Sequence, residues 1–178
     1  MSYQTVSKKV YYHVMEGRRC IFADERNKRK LLDSVLDIQI LEKWNIYAFC
    51  ITDECAYFIT EAVGEASILD GMRSVADSYL KRYREATWNH GRPGEGKLSP
   101  GKVKELRSLQ DIAVYCRQIH RIPLEEGYVN RIRDYWWSSY ITYMGNYDWG
   151  MVDCRALFLY FSADTETARR KMQHYHQE

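Results

Sequence analysis

At 178 residues, 46% of them hydrophobic and 14% aromatic, the chain is long enough for one packed domain and too apolar for a disordered one. Its net charge of +2 excludes a polycation that coats nucleic acid by charge alone, and no apolar run has the length of a membrane-spanning helix. Five cysteines, scattered and without a C-x-x-C pair, argue against a zinc ribbon or a thioredoxin-type site; with no secretory leader they fit free thiols in a reducing cytoplasm.

Residues 9–15, K-V-Y-Y-H-V-M, alternate as a first strand that Gly17-Arg18-Arg19 breaks. Asp24 is placed to cap a helix over 25–43, whose Leu31, Leu32, Val35, Leu36, Ile38 and Leu41 follow the helical period. Two short runs rich in β-branched and aromatic residues, 46–51 and 55–60, flank the polar Thr52-Asp53-Glu54 and predict a hairpin of central strands. Alternation puts Cys55, Tyr57 and Ile59 on one face of the second strand. Strand, helix, strand, strand opens a ferredoxin-like sandwich.

Ser67 is the expected cap of a second helix over 68–87, with Leu69, Met72, Val75, Ala76, Tyr79, Leu80 and Tyr83 as its buried stripe. Residues 90–101, rich in Gly and Pro, read as a loop, and 102–106 as a lysine-bearing edge strand. Ser108 with Asp111 predicts a cap for a third helix to about His120, ended by Pro123. An aromatic segment, 135–144, ends at Gly145. Asp153 can cap a helix over 155–161, and Asp164 or Thr165 one over 166–174. The expected fold is α+β, a ferredoxin-like sandwich with a four-stranded antiparallel sheet, helices on one face and C-terminal helical additions; the expected division is 1–145 and 146–178.

Between Gly71 and Arg107 nine basic residues stand against four acidic ones, a local excess that suits either a phosphate-bearing partner or a solvated face. Fifteen tyrosines and five tryptophans can fill a core and its rim or stack on bases.

Several of these residues fall in motifs. Tyr11-Tyr12-His13-Val14 lies in the first strand, and Asp53-Glu54-Cys55-Ala56-Tyr57 at the hairpin. Tyr79 and Tyr83 form a pair in S-Y-L-K-R-Y. Gln118-Ile119-His120-Arg121-Ile122-Pro123 is followed by Trp137-Ser138-Ser139-Tyr140 and Gly145, and the ending carries Val152-Asp153, Phe161 and Ala168-Arg169-Arg170. Taken in order, they resemble the single-tyrosine HUH transposases of insertion sequences (the transposase IS200-like family), in particular the REP-associated branch. That family has P-N-H-x-H at the hairpin, where two histidines hold a divalent metal, Mg²⁺ or Mn²⁺. It has Y-I-H-x-N-P on the third helix, where the tyrosine attacks DNA.

In this chain Cys55 and Tyr57 stand at the histidine positions and Gln118 at the nucleophile position, so the resemblance implies a scaffold without its catalytic groups and without a metal. What it leaves is binding of hairpin-forming single-stranded DNA, with Arg82, Arg84, Arg92, Lys102, Lys104 and Arg117 as candidate phosphate contacts. Two alternatives stay open: an active metal-dependent nuclease using Tyr115, one turn before Gln118, and a non-DNA interaction module on the same fold. His174 and His176 read as chance residues on a frayed terminus, and Asp53-Glu54 as a turn. The resemblance leaves open whether the chain is a monomer or a homodimer, since both occur in the family.

Overall fold

A computed structural model describes residues 8–88 and 96–177. Four strands, β1 (Lys9–Gly17), β2 (Asn45–Ile51), β3 (Cys55–Ala62) and β4 (Leu98–Leu106), form one antiparallel sheet in the order β2-β3-β1-β4. Helix α1 (Glu25–Glu42) connects β1 to β2, and α2 (Glu65–Trp88) follows β3. This is the β-α-β-β-α-β order of a ferredoxin-like sandwich, as the alternating and helical periods predict.

The Asp24 side chain accepts from the Arg26 backbone N–H at 2.8 Å and starts α1; Lys43, at φ 53°, ends it. Leu31, Leu32, Val35 and Ile38 form the buried stripe. Lys28 on the same helix is almost fully buried and donates to Asp53 Oδ1 at 2.8 Å, which ties the β2–β3 turn to α1. The expected hairpin turn is therefore also a tether.

Helix α2 begins at Glu65, earlier than the expected 68, because the Ile68 N–H already bonds the Gly64 carbonyl at 3.2 Å. Ser67 sits inside the helix, and its hydroxyl reaches Glu42 at 3.3 Å instead of capping. Gly71 costs the helix about 1 kcal/mol relative to alanine. The Trp44 indole lies against it so closely that a Cβ would come within 2.0 Å of the ring, and only glycine leaves that space. Tyr79 is fully buried and donates to the Ile21 carbonyl at 3.2 Å, with Tyr83 stacked beside it at 5.9 Å.

Strand β4 starts at Leu98, inside the stretch read as a loop. Pro100 pairs with Met15 where the β1–β4 register shifts, and an edge strand with an irregularity accepts a proline that cannot donate. Helix α3 (Leu109–Glu125) carries the expected capping box of Ser108 and Asp111 but continues past His120 and through Pro123. In the last turn the proline forfeits a single helical bond, the one to the Ile119 carbonyl, while its own carbonyl accepts from the Tyr128 N–H at 2.8 Å.

Helices α1 and α2 pack together on one face, as expected, and α3 packs on the other, over β2 and β3. Ala48, Cys50 and Ile59 on that second face are fully buried, and an apolar face of this kind has to be covered. A 3-10 turn (Ile132–Asp134) leads to α4 (Tyr140–Tyr143), α5 (Arg155–Phe161) and α6 (Thr165–Gln177). Between them the chain runs beside β2. The Ile51 N–H bonds the Trp137 carbonyl, the Ser139 N–H the Phe49 carbonyl, and the Asp153 N–H the Ile46 carbonyl, all at 2.8–2.9 Å. Asp153 and Asp164 accept from the Arg155 and Thr167 backbone N–H groups and start α5 and α6 as predicted. Both helices pack on α3. Among the described residues no helix is long and apolar enough to cross a membrane.

Candidate nucleic-acid interface

The register brings the sequence candidates to one face. Tyr12 pairs with Ile59 on one side and Lys104 on the other, and Val14 pairs with Tyr57, so Tyr12, Cys55, Tyr57 and Lys104 project the same way. Tyr115 reaches this face from α3. Its ring lies 5.0 Å from that of Tyr12, its hydroxyl accepts from Lys104 Nζ at 2.6 Å, and the ammonium sits 4.7 Å from the ring centroid. Gln118, one turn further on, is exposed.

Cys55 and Tyr57 are half-buried neighbours on β3 and bear on each other's titration. Burial pushes the Tyr57 phenol well above its ordinary range, and the neighbouring Cys55 adds to this. Burial also raises the Cys55 thiol; the neighbouring Tyr57 hydroxyl opposes the shift, while Glu16, Glu126 and Glu54 add to it. Both groups are therefore protonated at neutral pH. A hard divalent cation takes carboxylate, carbonyl or imidazole donors, and a protonated thiol and phenol supply none. The pair does not fit the metal that the resemblance would place there.

The cations are divided by the sheet. Lys102 and Lys104 are exposed on β4, one alternation apart, and Lys104 belongs to the Tyr115 face. Arg117 is half-buried on α3 with its guanidinium 5.4 Å over the Tyr175 ring, and its buried Nε has no partner among the described residues. Arg82 and Arg84 lie on α2, across the sheet, and Arg82 is paired with Asp37 of α1 at 2.5 Å. Arg92 lies outside the described residues. The basic excess between 71 and 107 is thus not one continuous track: a sequence count sums charges that a sheet then separates.

A second cluster went unread in the sequence. Cys116, His120 and His176 bring three donor atoms within 4.8 Å of one another, all buried. His176 is not frayed; it ends a buried stripe of Ala168, Met172 and His176 on α6, and that spacing of four was the available signal. His176 Nδ1 donates to the Met172 carbonyl at 2.8 Å, so Nε2 accepts from His120 Nδ1 at 2.9 Å, which leaves His120 Nε2 to accept from Ser139 Oγ at 2.7 Å. One consistent set of protons therefore joins Ser139, His120 and His176 in a neutral relay. The Cys116 sulfur lies 3.6 and 3.9 Å from the two His120 nitrogens, nearly equidistant, and both nitrogens already have closer partners. A metal would have to break the relay, and the cluster reads as structural. Burial holds His120 well below its ordinary range and His176 at about 4, with His176 a lesser cause at His120 and the guanidinium groups of Arg117 and Arg121 lesser causes at His176.

No protein-family model matches the chain, and no curated protein does. Among solved structures, a REP-associated tyrosine transposase bound to a REP hairpin aligns with a TM-score of 0.62 at 13% sequence identity, over 82% of this chain and 83% of that one. A protein from Deinococcus radiodurans R1 assigned as a transposase aligns over 65% of this chain and 92% of that one, at 17% identity; its TM-score of 0.48 is too low to carry an argument. At 13% identity the likeness to the REP-associated protein is one of fold alone.

Proposed function

We propose that this chain binds hairpin-forming single-stranded DNA on a transposase-like scaffold and does not cut it. The observation that carries the second half is the Cys55–Tyr57 pair, a half-buried thiol and phenol, both protonated, side by side on one strand face where the resemblance would place two imidazoles. A phosphate brought to this face finds no Lewis acid held by those side chains, and Gln118 offers an amide in place of a nucleophile. The first half rests on the shared fold, on a neighbour that is itself a hairpin complex, and on Lys102 and Lys104, exposed at the edge of the same face beside two aromatic rings. Cations next to stacking rings are how single strands are held without sequence reading.

One observation favours a second reading, cleavage by Tyr115. Its hydroxyl lies on this face and takes a hydrogen bond from Lys104 at 2.6 Å, which holds the oxygen beside a cation that a phosphate would also meet. Labelled hairpin oligonucleotides with single-stranded flanks decide between the two. Binding measured by fluorescence anisotropy is expected, with no covalent adduct on a denaturing gel in Mg²⁺ or Mn²⁺. An adduct that disappears in Tyr115→Phe would establish the second reading, and no binding at low salt would remove both.

A further inference from the structure

On the side of the relay that faces solvent, the end of α3, the segment leading into the 3-10 turn and the last turns of α6 enclose a cavity of about 260 Å³. Three arginines line it: Arg121, Arg131 and Arg133. Asn130, Gln173 and Tyr140 add polar groups, and none of its lining residues is acidic. We propose that this cavity is a binding site for a phosphate group, as an inorganic ion, a mononucleotide or a nucleic-acid backbone.

The lining groups differ in how free they are. Arg121 is held in place: it donates to the His176 carbonyl at 2.8 Å and to Glu125 at 3.1 Å, so its guanidinium is fixed at the cavity wall. Arg131 forms a two-pronged pair with Asp134, at 2.7 and 3.0 Å, and is likewise oriented. Arg133 is exposed and has no carboxylate partner among the described residues, and its charge bears on the Tyr140 phenol, which places the two groups near each other. Two arginines are thus positioned and largely neutralised by their own carboxylates, and the third brings the charge that an anion would answer. Guanidinium groups present flat, forked donors that match phosphate oxygens. The volume exceeds what a phosphate needs and leaves room for a sugar or an adjoining backbone unit.

The site is separate from the Cys55–Tyr57 face, and the inference stands whether or not the chain binds hairpins. The test is proton–nitrogen NMR of the full chain, observing arginine Nε–H signals at constant ionic strength. Inorganic phosphate and thymidine 5′-monophosphate are each titrated in, with thymidine as the uncharged control. Both phosphate probes are expected to move the same few arginine signals, and thymidine none. Arg133→Ala, at an exposed position, is expected to keep the melting temperature and to weaken both phosphate titrations about tenfold. Arg133→Glu is expected to abolish them.

A hairpin oligonucleotide that displaces the mononucleotide identifies the natural source as a DNA backbone. A failure to displace it identifies a free phosphate or nucleotide. Either outcome supports the site. Phosphate titrations that move no arginine signal, or that are unchanged in both Arg133 variants, overturn it.

Discussion

The Cys55–Tyr57 face and the Ser139–His120–His176 relay both lie beside the same helix, α3, and they divide the functions of histidine between them. The open face, where the resemblance expects imidazoles that hold a metal, has none. The closed side keeps two, and both are neutral, buried and bonded at both nitrogens. An imidazole works as a ligand or a base only when one nitrogen is free and its lone pair faces the reactant. Inside the protein the same ring is a two-ended connector. Residue type alone does not assign the role; the partners and the solvent do.

The largest effect expected from this contrast is on stability. His120→Ala removes the centre of the relay and leaves Ser139 and His176 with buried, unsatisfied atoms, a loss of about 3 kcal/mol or more in urea unfolding. Cys55→Ala and Tyr57→Phe, on the half-exposed face, are expected to cost about 1 kcal/mol or less. If the two sets of variants lose equal stability, the distinction between the regions fails.

The second effect is pH dependence. Burial holds His13 at about 3, His176 at about 4, and His120 well below the ordinary value near 6.5. Each is neutral in the folded chain and protonated in the unfolded one below pH 6.5, so the unfolded state binds more protons there and stability falls as pH drops. The loss is about 1.4 kcal/mol per pH unit for each histidine between roughly pH 6.5 and its folded value. Melting temperatures measured from pH 7.5 to 5 should fall steeply below pH 6.5, and His176→Gln should flatten the slope by about a third of its value. A flat profile would mean that these rings are hydrated.

The smallest effect separates the cations by side of the sheet. Removing Lys102 and Lys104 together should lower the slope of log affinity against log salt for a hairpin by about two units. Removing Arg82, already paired with Asp37 across the sheet, should leave it unchanged. Equal losses from the two sets would show that DNA wraps both faces.

Much of the fold was legible because local signals agreed with one another. Alternation at 46–51 and 55–60, the Asp24 cap and the Ser108–Asp111 box each name an element, and all of them are present. The start of β4 was hidden because Pro100 and Gly101 look like a loop until a partner strand with a register shift accommodates them. Pro123 looked like a stop because the rule for helix interiors is relaxed in a last turn. The cluster at Tyr12, Cys55, Tyr57 and Tyr115 was half legible: strand alternation gave Cys55 and Tyr57 together, but the strand pairing that adds Tyr12 and the placement of α3 over that face are tertiary facts. His176 was missed because the side chain it bonds, His120, is 56 residues away.

The segments that run beside β2 have a consequence for how the chain behaves among its own copies. A strand at the rim of a sheet presents unpaired amide and carbonyl groups on which another strand can template. At β2 those groups are already taken, by Trp137, Ser139 and Asp153, while Tyr135 and Tyr143 donate their hydroxyls to the Ile51 and Tyr47 carbonyls at 2.6 and 2.7 Å. The C-terminal third thus serves as an edge guard. It leaves β4, with its proline and its lysines, as the rim that meets water, and those are the residues that discourage strand-by-strand aggregation.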